Sequence, residues 1–309
     1  MDRASAIAYS SSANLGPGYD VLAVAHNAYY NSVTVARTEE DFADYVKLVV
    51  KGLPARPYEN TAGLALTELL KELDIREKFI VTIENGIPTG LGLGSSGASA
   101  SAAVQAIDKL LELNLSRNQL VKYAMLGEAA SSGDPHADNV SASTFGGLVI
   151  VESVDPVNIR QIKISDRFSF MTIVPDIIIQ SKTRTLRDLV PDQIELSQYV
   201  QGIRYTSALI SGLITGDREL LREGMNDRIV EEARKPLYPF YEEMKEMILS
   251  HDAAGSCLSG AGPSVLAVVD EYTDTAGISR AAGEIISKYG HKCSVVYSSV
   301  AGGANARSA

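Results

Sequence analysis

The chain has 309 residues and a formal net charge of -10 at pH 7, with 45% hydrophobic residues and no tryptophan. This acidic balance argues against nucleic acid or an anionic membrane as a partner, because both call for a basic surface. The first residues lack an apolar signal region, no apolar run is long enough to cross a bilayer, and Cys257 and Cys293 form no metal or redox spacing. We therefore expect a cytoplasmic protein with free thiols, built as one large or two ordinary domains.

Hydrophobic periodicity predicts the elements in chain order. The first half is expected to contain strands at 31–36, 45–50, 79–84 and 146–152, and helices at 61–73, at 95–113 and from Ser116 onward. The second half is expected to contain strands at 168–175, 264–269 and 292–297, and helices at 193–213, 237–250 and 276–289. The polar stretch 153–167 predicts a junction between domains 1–153 and 154–309, and the tail 301–309 is expected to be disordered. Strands separated by long helices indicate an α+β fold.

Residues 87–101 form a glycine- and serine-rich segment between a predicted strand and a predicted helix. Glycines let backbone N–H groups converge on one point, and the positive end of the following helix faces the same point. Phosphate is the expected occupant, which predicts a nucleotide enzyme. The segment lacks the Gly-Lys-Ser/Thr ending of a Walker loop and the distant acidic residue of a dinucleotide site. Taken alone, such a loop is also compatible with a simple strand-to-helix turn.

Two further glycine segments, at 10–20 and 255–264, accompany the central one. In this order the three segments resemble the signature motifs of the GHMP kinases (galacto-, homoserine, mevalonate and phosphomevalonate kinases), and 87–98 is similar to the ATP loop of that family. Within the family, segments 12–20, 132–140 and 258–265 are most similar to the members that phosphorylate L-homoserine. The resemblance covers residue 5 to about 300. Its departures are mild: Tyr19 stands where phenylalanine is common, and Ser143 and Thr144 stand where small residues or proline are common.

The resemblance implies the two-domain GHMP kinase fold, with a ribosomal S5 domain 2-like N-terminal domain and a ferredoxin-like α/β sandwich C-terminal domain. It also implies ATP as co-substrate and a homodimer, since relatives are commonly dimers. The residues that it places against ATP are Asn60, Pro88, Gly90, Leu91, Gly92, Leu93, Gly94, Ser95, Ser96, Gly97, Ala98, Ser99 and Gly260. The loop N–H groups and the Ser95 and Ser96 hydroxyls are expected to meet the β- and γ-phosphates. Asn60 fits a helix cap as well as it fits an adenine contact.

The resemblance further implies a Mg²⁺ site made by Ser96 and Glu128. Magnesium prefers few carboxylates together with phosphate oxygens and water, and one Glu with one Ser fits that preference. The alternative for Glu128 is an ordinary solvated helix residue.

L-Homoserine carries an ammonium, a carboxylate and a primary hydroxyl, and each group needs a partner in a water-poor pocket. Asp20 is expected to face the ammonium, with Asn14 beside it and His136 as a further contact. Arg184 and Arg234 are expected to bind the carboxylate, although a lone arginine also fits a surface salt bridge.

In phosphoryl transfer, positioning and charge neutralisation do most of the catalysis. We expect Asn139 to orient the acceptor hydroxyl in a transfer without a dedicated base, with Arg234 supporting the reaction from the substrate side. Asp138 is the alternative base or a structural group. The alternatives to a kinase on the path to threonine are another small-molecule kinase of the mevalonate or shikimate class and a non-catalytic ligand-binding sensor. Cys257 is expected to serve packing, not nucleophilic chemistry.

Overall fold

The computed structural model describes residues 2–132, 136–177, 186 and 188–308. The described part contains two β-sheets, each with helices packed on it. The strands are β1 (Arg3–Asn14), β2 (Gly18–Arg37), β3 (Val46–Val50), β4 (Phe79–Asn85), β5 (Leu148–Val154), β6 (Val157–Ile162), β7 (Ser169–Pro175), β8 (Gly255–Leu258), β9 (Val265–Val269), β10 (Cys293–Ser298) and β11 (Asn305–Ser308). The α-helices of the described residues are α1 (Thr61–Glu72), α2 (Ser95–Leu111), α3 (Arg117–Ser132), α4 (Asp138–Phe145), α5 (Leu196–Thr215), α6 (Arg218–Gly224), α7 (Val230–Arg234), α8 (Tyr241–Ser250) and α9 (Thr275–Lys288).

Seven strands form the first sheet, in the order β11-β1-β2-β4-β3, with β5 paired to β2 and β6 paired to β5. Strand β2 is 20 residues long and serves two partners, because residues 22–24 pair with β5 whereas residues 31–37 pair with β4. Helices α1 to α4 pack against this sheet and against one another. The alanines Ala98, Ala102 and Ala106 of α2 are fully buried, so this helix lies close against β1 and β2.

The second sheet has four antiparallel strands in the order β10-β7-β9-β8, and α8 and α9 pack on it. A separate buried cluster joins the two sheets. It brings Leu22 and Leu148 of the first sheet together with Phe170 and Leu266 of the second and Leu209 of α5. This shared apolar layer places the residues between β1 and β2 close to the turn between β8 and β9, which matters for the site.

All of the predicted helices and strands are present, but β2 begins at Gly18 and is much longer than the strand predicted at 31–36. Strands β1, β6, β8 and β11 and helices α4, α6 and α7 were not predicted. The end of β1 could not be predicted from hydrophobic periodicity. Residues 10–13 are all buried, so this part of the strand lacks the alternation of polar and apolar residues that marks a half-buried strand.

The fold bears on two expectations about chain organisation, and it contradicts the one about the tail. The polar stretch 153–167 contains β6, which pairs with β5 along the first sheet, so it is not a simple junction. The tail is not disordered throughout, because β11 pairs with β1 through residues 305–308. The first sheet therefore takes strands from both sides of the predicted boundary. The division into domains 1–153 and 154–309 stays a prediction, and it does not coincide with the division between the sheets.

None of the helices in the described ranges combines the length and the apolar character needed to cross a bilayer. Both cysteines are free thiols, as expected. Cys257 lies in the buried cluster between the sheets, where burial raises its thiol pKa well above the ordinary value. A thiol in this state is a poor nucleophile, in keeping with a packing role.

Candidate active site

The three glycine segments meet at one cavity of about 440 Å³. Most of the predicted site residues line it, namely Asn14, Asp20, Asn60, Pro88, Gly90, Gly92, Leu93, Gly94, Ser95, Ser96, Ser99, Glu128, His136, Asp138, Asn139, Arg234 and Gly260. Three predicted residues do not line the cavity. Ala98 is buried in the core, Gly97 packs against α4, and Leu91 joins the loop to the third segment through its carbonyl. Arg184 lies outside the described residues.

The central loop has a backbone that only glycine adopts easily. Gly90, Gly92 and Gly94 have φ angles of 72°, 80° and 69°, all in the left-handed region. A Cβ atom on Gly92 would lie 2.2 Å from the Ser259 carbonyl oxygen, and one on Gly94 would lie 2.2 Å from the Ser11 Oγ. These two glycines are therefore required both by conformation and by the close approach of the first and third segments.

Three successive carbonyl groups of this loop accept hydrogen bonds from the first and third glycine segments. The Leu91 oxygen accepts from the Ser264 N–H at 3.3 Å, and the Leu93 oxygen accepts from the Ser11 N–H at 3.1 Å. Between them, the Gly92 oxygen accepts from the Ser259 hydroxyl at 2.6 Å.

In a planar trans peptide the N–H of the next residue points opposite to the carbonyl. The N–H groups of Gly92, Leu93 and Gly94 are thus directed away from the strands that hold the loop, and they donate to none of the described residues. Together with the unbonded first-turn N–H groups of α2, they form a cradle for an anion.

Two asparagines in adjacent strands shape the loop, and sequence reasoning missed both. Asn31 is fully buried. It donates to the Ser95 carbonyl at 3.0 Å and to the Ser99 hydroxyl at 2.8 Å, and it accepts from the Ile87 N–H at 2.9 Å. Asn85, its neighbour across the sheet, accepts from the Ser95 hydroxyl at 2.9 Å. The Ser95 hydroxyl is thereby used inside the loop, contrary to the expectation that it donates to phosphate, and the backbone N–H is the group that Ser95 offers a ligand.

Glu128 and Ser96 approach each other at the start of α2. The Ser96 hydroxyl donates to Glu128 Oε2 at 3.2 Å. Glu128 is only 7% exposed, so the alternative of a solvated helix residue is wrong. The pKa of Glu128 is raised to about 7, chiefly by burial; the bond from Ser96 opposes this shift, and the negative charge of Asp138 adds to it.

This donor set fits a magnesium ion. A divalent cation relieves the repulsion between two buried carboxylates, and a hydroxyl and a carboxylate oxygen are ligands that Mg²⁺ accepts. The described residues hold no group of three or more acidic, His or Cys side chains that could bind a metal alone. Phosphate oxygens and water would therefore supply the remaining ligands, as magnesium prefers.

Arg234 is a buried cation on the cavity wall, 5% exposed. Its Nη1 donates to the Gly260 carbonyl at 3.4 Å, and its guanidinium lies 5.4 Å from the centre of the Tyr19 ring. The Nε is buried without a hydrogen-bond partner, and no acid among the described residues forms an ion pair with this side chain. The surface salt bridge considered from the sequence is therefore wrong for Arg234.

Arg234 is held in place by its neighbour on the same short helix, Glu231, which the sequence analysis also missed. Glu231 is buried and accepts from the Leu258 N–H at 2.7 Å and from the Tyr241 hydroxyl at 2.8 Å. Burial raises the pKa of Glu231, with the positive charge of Lys245 opposing that shift. These bonds fasten α7 to the end of β8, so the helix that carries Arg234 is fixed in position at the cavity wall.

The first segment contributes Asn14 and Asp20, both with φ angles in the left-handed region, 70° and 57°. The Asn14 amide donates to the Gly260 carbonyl at 3.1 Å and accepts from the Asp20 N–H at 3.2 Å. Asp20 is exposed, so it lines the rim of the cavity and not the water-poor interior that we expected. His136 is half-buried at the same cavity.

Asp138 and Asn139 occupy the first turn of α4. The Asn139 Oδ1 accepts from the Ser11 hydroxyl at 2.8 Å, and the Asp138 Oδ1 accepts from the Asn139 N–H at 2.7 Å. With the Oδ1 accepting from Ser11, the Asn139 Nδ2 remains as a donor, and Asn139 lines the cavity.

Asn60 caps α1, which confirms one of the two alternatives considered from the sequence. Its Oδ1 accepts from the N–H groups of Ala62 and Gly63, and its Nδ2 donates to the Pro54 carbonyl at 3.0 Å. The adenine contact stays a prediction.

Known proteins are similar to this chain in sequence and in structure over nearly its whole length. Family profiles described as GHMP kinases N terminal domain and GHMP kinases C terminal match residues 60–147 and 209–288. The chain is 47% identical to the homoserine kinase of Sulfurisphaera tokodaii over 297 residues, which is 96% of this chain and 97% of that protein. It is 44% identical to the homoserine kinase of Saccharolobus solfataricus over 304 residues, 98% of each. The crystal structure of homoserine kinase from Cytophaga hutchinsonii has a TM-score of 0.89 at 30% identity, covering 99% of this chain and 98% of that one.

The fold and the cavity together define a small-molecule kinase with a glycine-loop anion cradle beside a buried arginine. The chain belongs to the homoserine kinase family of the GHMP kinases. The expected GHMP kinase fold is confirmed. The comparisons leave the role of each cavity residue as a prediction.

Proposed function

We propose that this protein transfers the γ-phosphoryl group of ATP to the side-chain hydroxyl of L-homoserine, which gives O-phospho-L-homoserine on the path to threonine. The observation that carries the proposal is the buried Arg234 guanidinium without an acidic partner among the described residues, on the wall that faces the glycine loop. A buried charge is costly unless it is paired. The carboxylate of an amino acid supplies that pair, and a guanidinium binds it through two parallel hydrogen bonds.

The glycine loop supports ATP as the phosphoryl donor. Its free N–H groups from Gly92 to Gly94 would meet the β- and γ-phosphates, and the N-terminus of α2 adds its positive end. Ser96 and Glu128 would hold Mg²⁺, which neutralises charge on the phosphates when it is bound. The relatives named homoserine kinase support the same donor and acceptor pair.

The geometry of Asn139 supports a transfer without a dedicated base. Because its Oδ1 accepts from Ser11, its Nδ2 is the group available to the acceptor hydroxyl. An amide N–H donates to the hydroxyl oxygen and leaves the hydroxyl hydrogen to point at the γ-phosphate, which takes the proton. Asp138, whose Oδ1 already accepts from the Asn139 N–H, then has a structural and electrostatic role.

The ammonium of homoserine would meet Asp20 at the rim, with Asn14 holding the Asp20 backbone. His136 and Arg184 stay proposed contacts of the amino acid. A homodimeric assembly and a cytoplasmic location are likewise proposals that depend on the resemblance to the family.

The test is a coupled assay of ADP release with L-homoserine, mevalonate and shikimate as separate acceptors. We expect turnover with homoserine and none with mevalonate, which has no ammonium for Asp20. Turnover with mevalonate or shikimate but not homoserine would overturn the substrate assignment in favour of another kinase of the family. ATP binding without turnover on any amino alcohol would favour the sensor.

A further inference from the structure

His26 on β2 is a fully buried histidine that lies outside the cavity lining. Its ring contacts β1 on both sides, with Nδ1 3.2 Å from the Ser10 Oγ and Nε2 3.1 Å from the Ser12 Oγ. From Ser12 the contacts continue toward the site. The Ser12 Oγ lies 2.7 Å from the Ser259 Oγ, and Ser259 donates to the Gly92 carbonyl at 2.6 Å. A chain of hydrogen bonds thus leads from a buried imidazole to the centre of the glycine loop.

The hydrogens of this chain can be assigned because each hydroxyl has only one to donate. Ser259 donates to the Gly92 carbonyl, so the Ser259 oxygen must accept from Ser12. Ser12 then has no hydrogen left for the ring, and its oxygen must accept from a proton on the His26 Nε2. A proton on Nδ1 alone would leave the Nε2 lone pair facing the Ser12 oxygen. The network therefore assigns the neutral tautomer with Nε2–H.

The neutral state agrees with the surroundings of the ring. Burial lowers the pKa of His26 to about 4, and its described polar contacts are hydroxyl groups. On the other side, the Ser10 hydroxyl lies 3.2 Å from Nδ1 and 2.8 Å from the His26 backbone carbonyl, so its one hydrogen can be donated to the Nδ1 lone pair of the Nε2–H tautomer. The imidazole is thus a fixed donor and not a group that gains or loses a proton near neutral pH.

The end of the chain decides where a loop N–H points. The Gly92 carbonyl and the Leu93 N–H belong to one rigid peptide plane and face opposite ways. Gly92 has a φ of 80° and no side chain to restrict rotation, so this peptide needs an external anchor to keep one orientation. The Ser259 hydroxyl is that anchor, and Ser12 and His26 orient the Ser259 hydroxyl.

We propose that His26 is a positioning residue for ATP, because through Ser12 and Ser259 its Nε2–H holds the Gly92 peptide with the Leu93 N–H facing the phosphates. The inference rests on the proposed function only in taking the anion of the loop to be a phosphate of ATP. It assigns no catalytic contact to His26, which lies behind the loop.

The test compares two substitutions of the same histidine. In His26→Gln the side-chain amide nitrogen reaches the place of Nε2 and keeps the donor to Ser12. In His26→Asn the shorter side chain reaches only the place of Nδ1, so the donor to Ser12 is lost. Ser12→Ala breaks the next link. Ser5→Ala is the matched control, because the Ser5 hydroxyl also joins β1 to β2, through Thr34 at 2.7 Å, at the far end of the strands.

Four quantities are measured for each variant: the Kd of ATP by calorimetry, the KM of ATP, the KM of homoserine and the free energy of unfolding. We expect His26→Asn and Ser12→Ala to raise the Kd and KM of ATP about fivefold to tenfold, as the loss of one orienting hydrogen bond would. The KM of homoserine should change less than about twofold. His26→Gln should bring the ATP constants back toward the wild-type values, and Ser5→Ala should leave them unchanged. In the His26→Asn/Ser12→Ala double variant the effects on ATP should not add, since both break one chain.

Equal weakening of ATP binding in His26→Gln and His26→Asn, or additive effects in the double variant, would overturn the proposal. So would a loss of stability with an unchanged Kd of ATP. If His26→Asn does not fold, the comparison of Ser12→Ala with Ser5→Ala decides the question in the same way. Because the Kd of ATP is measured without an acceptor, a wild-type protein that binds ATP but ignores homoserine would refute the proposed function and still test His26.

Discussion

Replacing Arg234 with methionine should separate binding from stability. Methionine has a similar length and no charge, and the arginine that it replaces is 5% exposed with no acidic partner among the described residues. Removing an uncompensated buried charge is favourable. Against this stand a long bond to the Gly260 carbonyl at 3.4 Å and the contact with the Tyr19 ring, which together contribute about 1–2 kcal/mol. The ligand-free variant should therefore unfold with the wild-type free energy or up to about 1 kcal/mol more.

The same substitution should damage homoserine binding severely. Two charge-assisted hydrogen bonds to a carboxylate are worth about 3 kcal/mol, so we expect the KM of homoserine to rise roughly 100-fold while the Kd of ATP changes little. Urea unfolding of the ligand-free protein and steady-state kinetics give the two numbers. Arg204→Met, on the exposed part of α5, is the control and should alter neither. A variant that loses more than about 2 kcal/mol of stability with an unchanged KM would show that Arg234 holds the structure and not the substrate.

Three further predictions concern the loop, the strands behind it and the reacting hydroxyl. Gly92→Ala should cost more than about 2 kcal/mol of stability and weaken ATP binding, because its Cβ would meet the Ser259 carbonyl at 2.2 Å. In contrast, Gly90 has a similar φ, but a Cβ atom added there would meet open space. Gly90→Ala should therefore cost only about 1 kcal/mol of unfolding free energy. The buried His26 has a folded-state pKa of about 4, below its value of 6.5 in the unfolded chain. Between these two pH values the unfolded state therefore binds more protons than the folded state. The free energy of unfolding should then fall by about 3 kcal/mol as the pH drops from 6.5 to 4. Urea titrations at several pH values check this, and a His26→Gln protein with the same pH slope would contradict it. Asp138→Asn should lower kcat by less than about a hundredfold in a folded protein, and a far larger loss would establish Asp138 as the base that takes the hydroxyl proton.

The sequence was sufficient to predict the parts of the site that depend on local chemistry. A glycine loop before a helix predicts an anion cradle wherever it occurs, whereas Arg234 was predicted only through the resemblance to the family. Residues that act from a distance could not be predicted in this way. Asn31 and Glu231 are ordinary polar residues in the sequence, and their bonds to the loop and to β8 exist only after the strands pair and α7 docks.

The fold shows the same limit. Helices α1 and α2 keep a clear apolar face, so their positions were predicted closely. Strand β11 has no such pattern and forms because β1 offers it an edge. Asp20 illustrates a further limit, since the residue type indicates a partner for an ammonium but not whether the side chain is buried or exposed. One sequence signal for the residues that shape the loop was not used. Asparagine is depleted in strands, yet Asn31 and Asn85 lie in two neighbouring strands, opposite each other.

The back of the glycine loop is built from distant parts of the chain. Ser11 lies near the start, and Ser259, which holds the Gly92 carbonyl, lies 167 residues further along than Gly92. A fragment that ends before β8 would therefore contain every residue of the loop and still lack the nucleotide site. Under the proposed function, ATP binds only the complete structure, so saturation at 100 times its Kd should stabilise both sheets together by about 2.7 kcal/mol. Nucleotide would then protect the second sheet from proteases as strongly as the first, although none of the four strands of that sheet contributes a residue to the cavity lining.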